Sequence, residues 1–317
     1  MKRIGIDLMG GDVLPELLVE AVIQAAALLP DTLFVLFGAL PPNVPRTSNI
    51  VFEETADIIS MEDNPVAAAR KKTNSSLVRG IQALRQGKID ACISSGNTGA
   101  LIAASALYLP SLPISTRPAL LADLPSTTGT LSVIDVGGNV SVQAHHLLQF
   151  AFFASQYRLV RYNQKCPKVA LLNIGTESQK GTKELREAYS LLSNLAGAPF
   201  EFIGNIEGRD AFTSGVDVLV THGFAGNIFL KTAEGTAAFL LALAEKRLEQ
   251  QALRPLLDEL KSFLSYEASS GALVAGVDGL VIKCHGNSSK RALVNAILGT
   301  DQLIQGKLIQ KMKLLDG

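Results

Sequence analysis

The chain has 317 residues, 47% apolar and 18% charged, enough to bury a large core in one big α/β unit or two smaller ones. Its 29 basic and 29 acidic side chains cancel, so no global field draws it to nucleic acid or to an anionic membrane. Cys92, Cys166 and Cys284 are odd in number, far apart and set among apolar residues, which suits reduced cytosolic thiols better than disulfides or metal ligation.

Short apolar runs alternate with helical patterns along the chain. The first strand, Ile4 to Asp7, turns polar too soon for a signal-peptide apolar region and ends in "DLMGGD", where Asp12 would cap a helix through Pro15. Leu33 to Phe37 follows, and then a helix whose start is marked by Asn64 with Pro65. Ile89 to Ser94 leads through "SSGNTG" into a helix beginning near Thr98. Leu120 to Ala122 and Leu131 to Val136 come next, the latter ending in "DVGGNVS". Val169 to Ile174 runs into "NIGTESQKG", Phe200 to Ile203 into "IGNIEGRD", and Val218 to Thr221 into "THGFAGN". A helix from Arg254 and Pro255 carries a stripe of Leu253, Leu256, Leu257, Leu260 and Leu264, and Leu280 to Cys284 ends in "KCHGNSS". No unbroken apolar run reaches the roughly 18 residues of a membrane span. The expectation is a cytoplasmic, mostly parallel α/β sheet covered on both faces, built as a single unit over residues 1–317 with a helical hairpin at about 232–266.

Seven glycine-rich loops follow the strands, each carrying Asn, Asp, Ser, Thr or His. In an open parallel sheet the carboxyl ends of the strands form the ligand crevice, so these loops are expected to converge on one site. Gly96 and Gly99 let backbone approach a ligand, and the helix from Thr98 offers unpaired amides and a positive dipole end to an anion such as phosphate. Candidate contacts are Asp7, Gly10, Gly11, Asp12, Ser95, Gly96, Thr98, Gly99, Asn139, Asn205 and Lys283. Each such loop is also readable as a plain tight turn. Lys180 stands near a helix start, where a cation is unfavourable unless an anion is bound; its G-x-x-x-x-K-G-T order is not that of a P-loop. His145 and His146 read as structural, whereas His222 and His285 sit just past strand ends. No G-x-G-x-x-G, H-E-x-x-H, C-x-x-C or G-x-S-x-G is present, so dinucleotide, zinc and nucleophile-elbow chemistries lack their signatures.

Taken in order, "IDLMGGD", "DNPVAAARKKTNSS", "SSGNTGAL", "RPAL", "LLNIGTESQKG", "FIGNIEGRD", "GFAGNIFLKT" and "VIKCHGNSS" resemble the PlsX-type phosphate acyltransferases over nearly the whole chain. The resemblance implies a Rossmann-like α/β/α sandwich related to phosphate acetyltransferase and isocitrate dehydrogenase-like folds. It also implies a homodimer, a place in phospholipid synthesis, and formation of acyl phosphate from acyl-carrier-protein thioesters and inorganic phosphate without cofactor or metal. Gly138 stands where that family usually has Ala, and His222 where it usually has Asp. Phosphate is an anionic nucleophile and a thiol with pKa near ~8.5 leaves without obligatory protonation, so an anion cradle and oxyanion donors suffice. On this reading the Gly96 to Gly99 amides with Lys180 hold phosphate, while Asn97, Asn227 or His285 polarises the carbonyl.

An acidic carrier needs a basic landing surface. Arg70, Lys71, Lys72, Arg79, Arg85 and Lys88 form an acid-free run that is either a solvated face or that surface. The leucine stripe reads as core or dimer packing, or as a weak membrane-surface helix whose polar face Asp258 and Glu259 dilute. The rivals are a phosphate acetyl- or butyryltransferase acting on acyl coenzyme A and a non-enzymatic membrane-surface scaffold that gathers acyl carrier protein.

Overall fold

Most of the apolar runs become strands, and most strands lead into a helix that covers one face of the sheet. The computed structural model describes residues 1–12, 14–39, 41, 47–247, 254–264 and 271–315. The first half of the chain forms β1 (Lys2–Asp7), α1 (Pro15–Leu28), β2 (Thr32–Phe37), β3 (Ile50–Glu53), α2 (Pro65–Lys71), α3 (Ser76–Arg85), β4 (Ala91–Ser94), α4 (Thr98–Tyr108) and the hairpin β5 (Ala119–Ser126) and β6 (Gly129–Ile134). The second half forms α5 (Ala144–Tyr162), β7 (Lys168–Leu172), α6 (Lys183–Ser193), β8 (Glu201–Ile206), β9 (Val218–Val220), α7 (Gly223–Arg247), α8 (Arg254–Leu264), β10 (Ala272–Ala275), β11 (Leu280–Lys283), α9 (Lys290–Gln305) and α10 (Leu308–Lys313).

The sheet order is β3-β2-β1-β4-β11-β10-β5-β6-β9-β7-β8. β1 to β4 and β11 run parallel to one another, and so do β6, β9, β7 and β8. Between these halves β10 is antiparallel to both β11 and β5, and β5 is antiparallel to β6. The two parallel halves therefore point in opposite directions. One core packs residues of α1, α5, α6, α9 and α10 on one face, and a second packs residues of α2, α3, α4 and the first turns of α7 on the other. This is the expected α/β/α sandwich.

Local chemistry explains the helix starts. Asn64 Oδ1 accepts from the Ala67 amide at 3.1 Å ahead of Pro65, and the Ser75, Thr182 and Ser289 hydroxyls accept in the same way for α3, α6 and α9. α1 instead begins after Leu14 with no side-chain cap, so Asp12 does not cap it. β3 and β10 escaped the sequence reading. β3 is a four-residue edge strand that ends in Glu53 and is followed by Glu54, and β10, Ala-Leu-Val-Ala, has no helical or period-two pattern to mark it.

α7 is the one described helix with the length and mean hydropathy, 1.2, of a membrane-spanning segment, because the average tolerates Lys231 and Glu234 where a search for unbroken runs does not. Only 6% of that stretch is buried in the chain, and Phe224, Ile228, Phe239 and Leu240 are exposed. Lys261 of α8 pairs with Glu245 of α7. Residues 248–253, Leu253 of the leucine stripe among them, and the side chain of Leu256 lie outside the described residues.

Candidate functional site

The register of β1, β4 and β11 brings three polar residues to one row: Asp7 pairs with Ser94, and Ser94 with Lys283. Each is the last residue of its strand, so the row lies where three strand-end loops begin. Asp7 is 1% exposed. Ser94 Oγ donates to Asp7 Oδ2 at 2.6 Å and accepts from the Gly96 amide at 3.1 Å. The Met9 amide and the Ser76 hydroxyl add further hydrogen bonds to Asp7. Burial nevertheless pushes its carboxyl above the usual range.

Lys283 is 8% exposed, and its ammonium donates to the Ser95 carbonyl at 3.4 Å and to the Cys284 carbonyl. Burial brings its pKa down to about 8. Beside it, burial pushes the Cys284 thiol up to about 11, so it supplies no thiolate at neutral pH. The Ser95 hydroxyl is buried with no hydrogen-bond partner among the described residues, which leaves a donor available to a ligand. α4 starts at Thr98, so its first-turn amides face this same corner. Gly10, at φ +81°, brings the β1 loop against the β3–α2 loop, where a Cβ would lie 2.3 Å from the Ile59 carbonyl. A Cβ on Gly99 would lie 2.8 Å from Pro65, so its small size lets α4 approach α2 rather than admit a ligand.

His285 and Asp12 stand on the rim of this corner; a Cβ on Gly286 would meet Asp12 Oδ2 at 2.6 Å. α7 supplies two groups that strand-end reasoning missed. Glu234 Oε1 lies 3.4 Å from His285 Nε2, and Glu234 Oε2 accepts from Lys231 Nζ at 2.7 Å. Burial opposes the Glu234 charge, but those two donors hold its carboxyl below the usual range. Their signal in the sequence was helical spacing from Asn227, one and two turns on.

Asn97 has a different task from the one expected. Its Oδ1 caps α4 by accepting from the Ala100 amide at 3.0 Å, and its Nδ2 donates to the Ser60, Met61 and Asp63 carbonyls. It is 7% exposed and its amide is already engaged. Asn97→Ala is therefore expected to lower stability by about 1–2 kcal/mol, the loss of a good cap, in a urea titration. A variant with unchanged unfolding midpoint and reduced turnover would restore the carbonyl role.

The remaining candidates lie elsewhere, because the sheet reverses. From β4 to β7 there are six inter-strand steps, about 29 Å at the usual spacing, and the carboxyl ends point opposite ways. So strand direction sorts the seven loops into two groups instead of one, with Lys180 in a different group from the Gly96 to Gly99 amides. In the second group Asn173 Nδ2 donates to the Lys180 carbonyl at 3.1 Å, and Asn205 Nδ2 donates to the Glu177 carbonyl at 2.9 Å. Asn139 donates to Asp135 and to the Pro118 carbonyl, both at 2.8 Å, which ties its side chain into the backbone. Asn227 is exposed on the first turns of α7, beside Gly137. His222 precedes α7 and its Nδ1 accepts from the Ala225 amide at 3.3 Å, a capping contact that an aspartate would also make. Burial lowers its pKa, which keeps that nitrogen an acceptor at neutral pH.

The basic run is less one-sided in space than in sequence. Lys72 pairs with Asp63 at 2.6 Å and Arg79 with Glu53. Arg70 and Lys71 are exposed at the end of α2, whose Pro65 touches the α4 start, whereas exposed Arg85 and Lys88 sit at the far end of α3, next to the amino end of β4.

A cavity of about 1150 Å³ lies between the β5–β6 hairpin and α7 and α8, and Gly208, Phe224 and Ala225 bring two of the strand-end loops to its wall. Leu124, Pro125, Phe212, Ile228, Phe229 and Phe263 make much of its wall, and Glu234 stands at its edge.

Comparison with known proteins agrees with this architecture. The solved structures it matches include the EutD phosphotransacetylase from Staphylococcus aureus, with a TM-score of 0.61 at 15% identity over 96% of this chain and 94% of that one. A branched-chain phosphotransacylase from Enterococcus faecalis gives a TM-score of 0.62 at 13% identity, over 96% and 99%. In sequence, the chain is 38% identical to a phosphate acyltransferase of Exiguobacterium sp., over 98% of both chains. It is 39% identical to one of Chlamydia caviae over 98% of both, and 37% identical to one of Lactococcus lactis over 99% of both. Residues 2–311 match the family described as fatty acid synthesis protein, and the chain belongs to that family.

Proposed function

We propose that the chain forms acyl phosphate from an acyl-carrier-protein thioester and inorganic phosphate at the corner built by β1, β4 and β11. Acyl transfer to phosphate in lipid synthesis is the family's activity, and this chain is a phosphate acyltransferase. The observation that carries the placement is the buried Lys283 ammonium, set beneath the start of α4 beside the unpartnered Ser95 hydroxyl. Cation, hydroxyl and helix amides together suit a phosphate.

A phosphate oxygen attacks the thioester carbonyl carbon, the carbonyl electrons move onto oxygen, and their return expels the thiolate, giving acyl phosphate and a carrier thiol. The site's work is to hold phosphate in line and to donate to the developing oxyanion. With Asn97 engaged as a cap and Asn227 on the other side of Lys231, His285 is the donor we assign to the carbonyl oxygen. The apolar cavity reaching Glu234 supports an acyl substrate in place of a small polar one.

Two further readings belong with this one. The exposed apolar residues of α7 suit burial against a second copy of the chain, which supports a homodimer. Arg70 and Lys71, exposed near the corner, suit an acidic carrier protein. Raising salt from about 50 to about 500 mM, which shortens the screening length roughly threefold, should raise the carrier-thioester KM several-fold more than the acyl coenzyme A KM. Arg70→Glu with Lys71→Glu should raise the carrier KM and flatten that dependence. Acyl phosphate is measured by hydroxylamine trapping. Equal salt curves for the two thioesters would leave these charges as a solvated face, and product from acyl coenzyme A alone would favour the phosphate acetyl- or butyryltransferase activity.

A further inference from the structure

We infer that Glu234 is a positioning residue for acyl transfer, holding His285 in place from the facing helix α7. The inference rests on the reading of the corner given above. His285 follows β11 in a loop, where a side chain has rotamer freedom that catalysis cannot use. Glu234 belongs to α7, whose first turn is anchored on the β6–α5 loop: a Cβ on Gly226 would lie 1.9 Å from the Asp135 carbonyl. A carboxylate on a fixed helix, 3.4 Å from Nε2, orients the ring as a carboxylate orients histidine in other acyl-transfer sites.

The charges around the pair decide how it works. From α7 come Glu234 and Lys231, from the strand-end row Lys283, and from the β1 loop Asp12. Two of these four are cations and two are acids, and Glu234 is the acid in direct contact with the ring. With Nε2 turned to Glu234, the ring meets the substrate through Nδ1, the atom that donates to the carbonyl oxygen when it carries a hydrogen. Because Glu234 also accepts from Lys231, one carboxylate links the proposed carbonyl donor to a cation near the phosphate corner.

The test is a double-mutant cycle read in turnover with the carrier thioester and phosphate. Glu234→Ala should lower kcat about 10- to 100-fold, a range typical of groups that orient a catalytic side chain, with phosphate KM within about twofold. The double variant with His285→Ala should be no slower than His285→Ala alone, since Glu234 acts only through the ring. Glu234→Gln, whose amide oxygen still accepts from Nε2–H, should recover most of the loss. It should also shift the ¹⁵N resonances of His285, identified by their absence in His285→Ala, and this measurement stands even if Glu234→Ala fails to fold. Multiplying losses in the double variant, an effect confined to phosphate KM, or unmoved His285 resonances would overturn the inference while leaving acyl transfer intact. Wild-type protein that forms no acyl phosphate would overturn both.

Discussion

Lys283→Met is expected to cut kcat/KM for phosphate by at least about 100-fold and to make the protein more stable. The first effect follows from losing a charged donor in a water-poor corner, where a single preorganised donor is worth two to three orders of magnitude. The second follows from why the lysine pKa is low. Burial brings it from 10.5 to about 8, so the folded state holds this charge at a cost, and every tenfold loss of proton affinity corresponds to about 1.4 kcal/mol. Replacing the ammonium with an apolar side chain of similar length removes that cost, and a gain of about 1–2 kcal/mol is expected once lost contacts are counted. Asp7 does not reverse the sign, because the Lys283 charge is the smallest of the influences on it, after burial and three hydrogen bonds.

The pH dependence has the same origin. The unfolded chain binds this proton up to about pH 10.5 and the folded chain only to about 8, so the Lys283 contribution to stability rises with pH between those values and is absent from the methionine variant. Activity runs the other way: phosphate KM in the wild type should climb as pH passes about 8, and Lys283→Arg should delay that climb. Urea titrations at pH 7 and 9.5 with steady-state kinetics decide the matter. A methionine variant that is less stable than wild type would make Lys283 a structural partner of Asp7, and one with normal phosphate use would remove it from the site.

Strand-end loops were legible in the sequence because glycine, asparagine and serine after a short apolar run have few other uses, and this pattern is what singles out Asp7, Ser95 and Lys283, the residues on which the proposed phosphate corner rests. Where those loops go in space was not. Whether a strand runs with or against its neighbour is decided by the connections, and the two short links that reverse this sheet, Thr127–Thr128 in the β5–β6 hairpin and the unmarked β10, carry no chemistry of their own. That reversal is what puts the Lys180 loop and the α4 start at strand ends that point opposite ways. Asn97 misled for a related reason: an asparagine before a helix is equally fit to cap it or to bind a ligand, and only its neighbours, the three carbonyls of the β3–α2 loop, decide. Glu234 and Lys231 were passed over because they lie inside a helix, one and two turns from a loop that attracted attention.

Asp135→Ala should destabilise the fold by about 3–5 kcal/mol, the largest structural effect expected of any single polar truncation near these loops. The carboxylate is 0% exposed. Its oxygens accept from the amides of Leu120 at 3.0 Å, Gly137 at 3.1 Å, Gly138 at 2.7 Å and Asn139 at 2.8 Å, and from Asn139 Nδ2 at 2.8 Å. Those donors come from β5 and from the β6–α5 loop, and the backbone carbonyl of the same residue lies under the first turn of α7 at Gly226. One side chain thus fixes the antiparallel junction of the sheet and the helix that carries Lys231 and Glu234. Truncation leaves several buried N–H groups unpaired, each costing about 1–3 kcal/mol and not additively, since the loop can relax toward water. Asp135→Asn should be nearly as harmful, because its amide turns two donors toward N–H groups that need an acceptor. Asn139→Ala removes one of these donors and its contact with Pro118, and should cost only about 1 kcal/mol in the same urea titration, with turnover unchanged. A loss of turnover in Asn139→Ala at wild-type stability would return Asn139 to the substrate, and an Asp135→Ala midpoint within about 1 kcal/mol of wild type would show that water satisfies the loop amides and that α7 is held by other contacts.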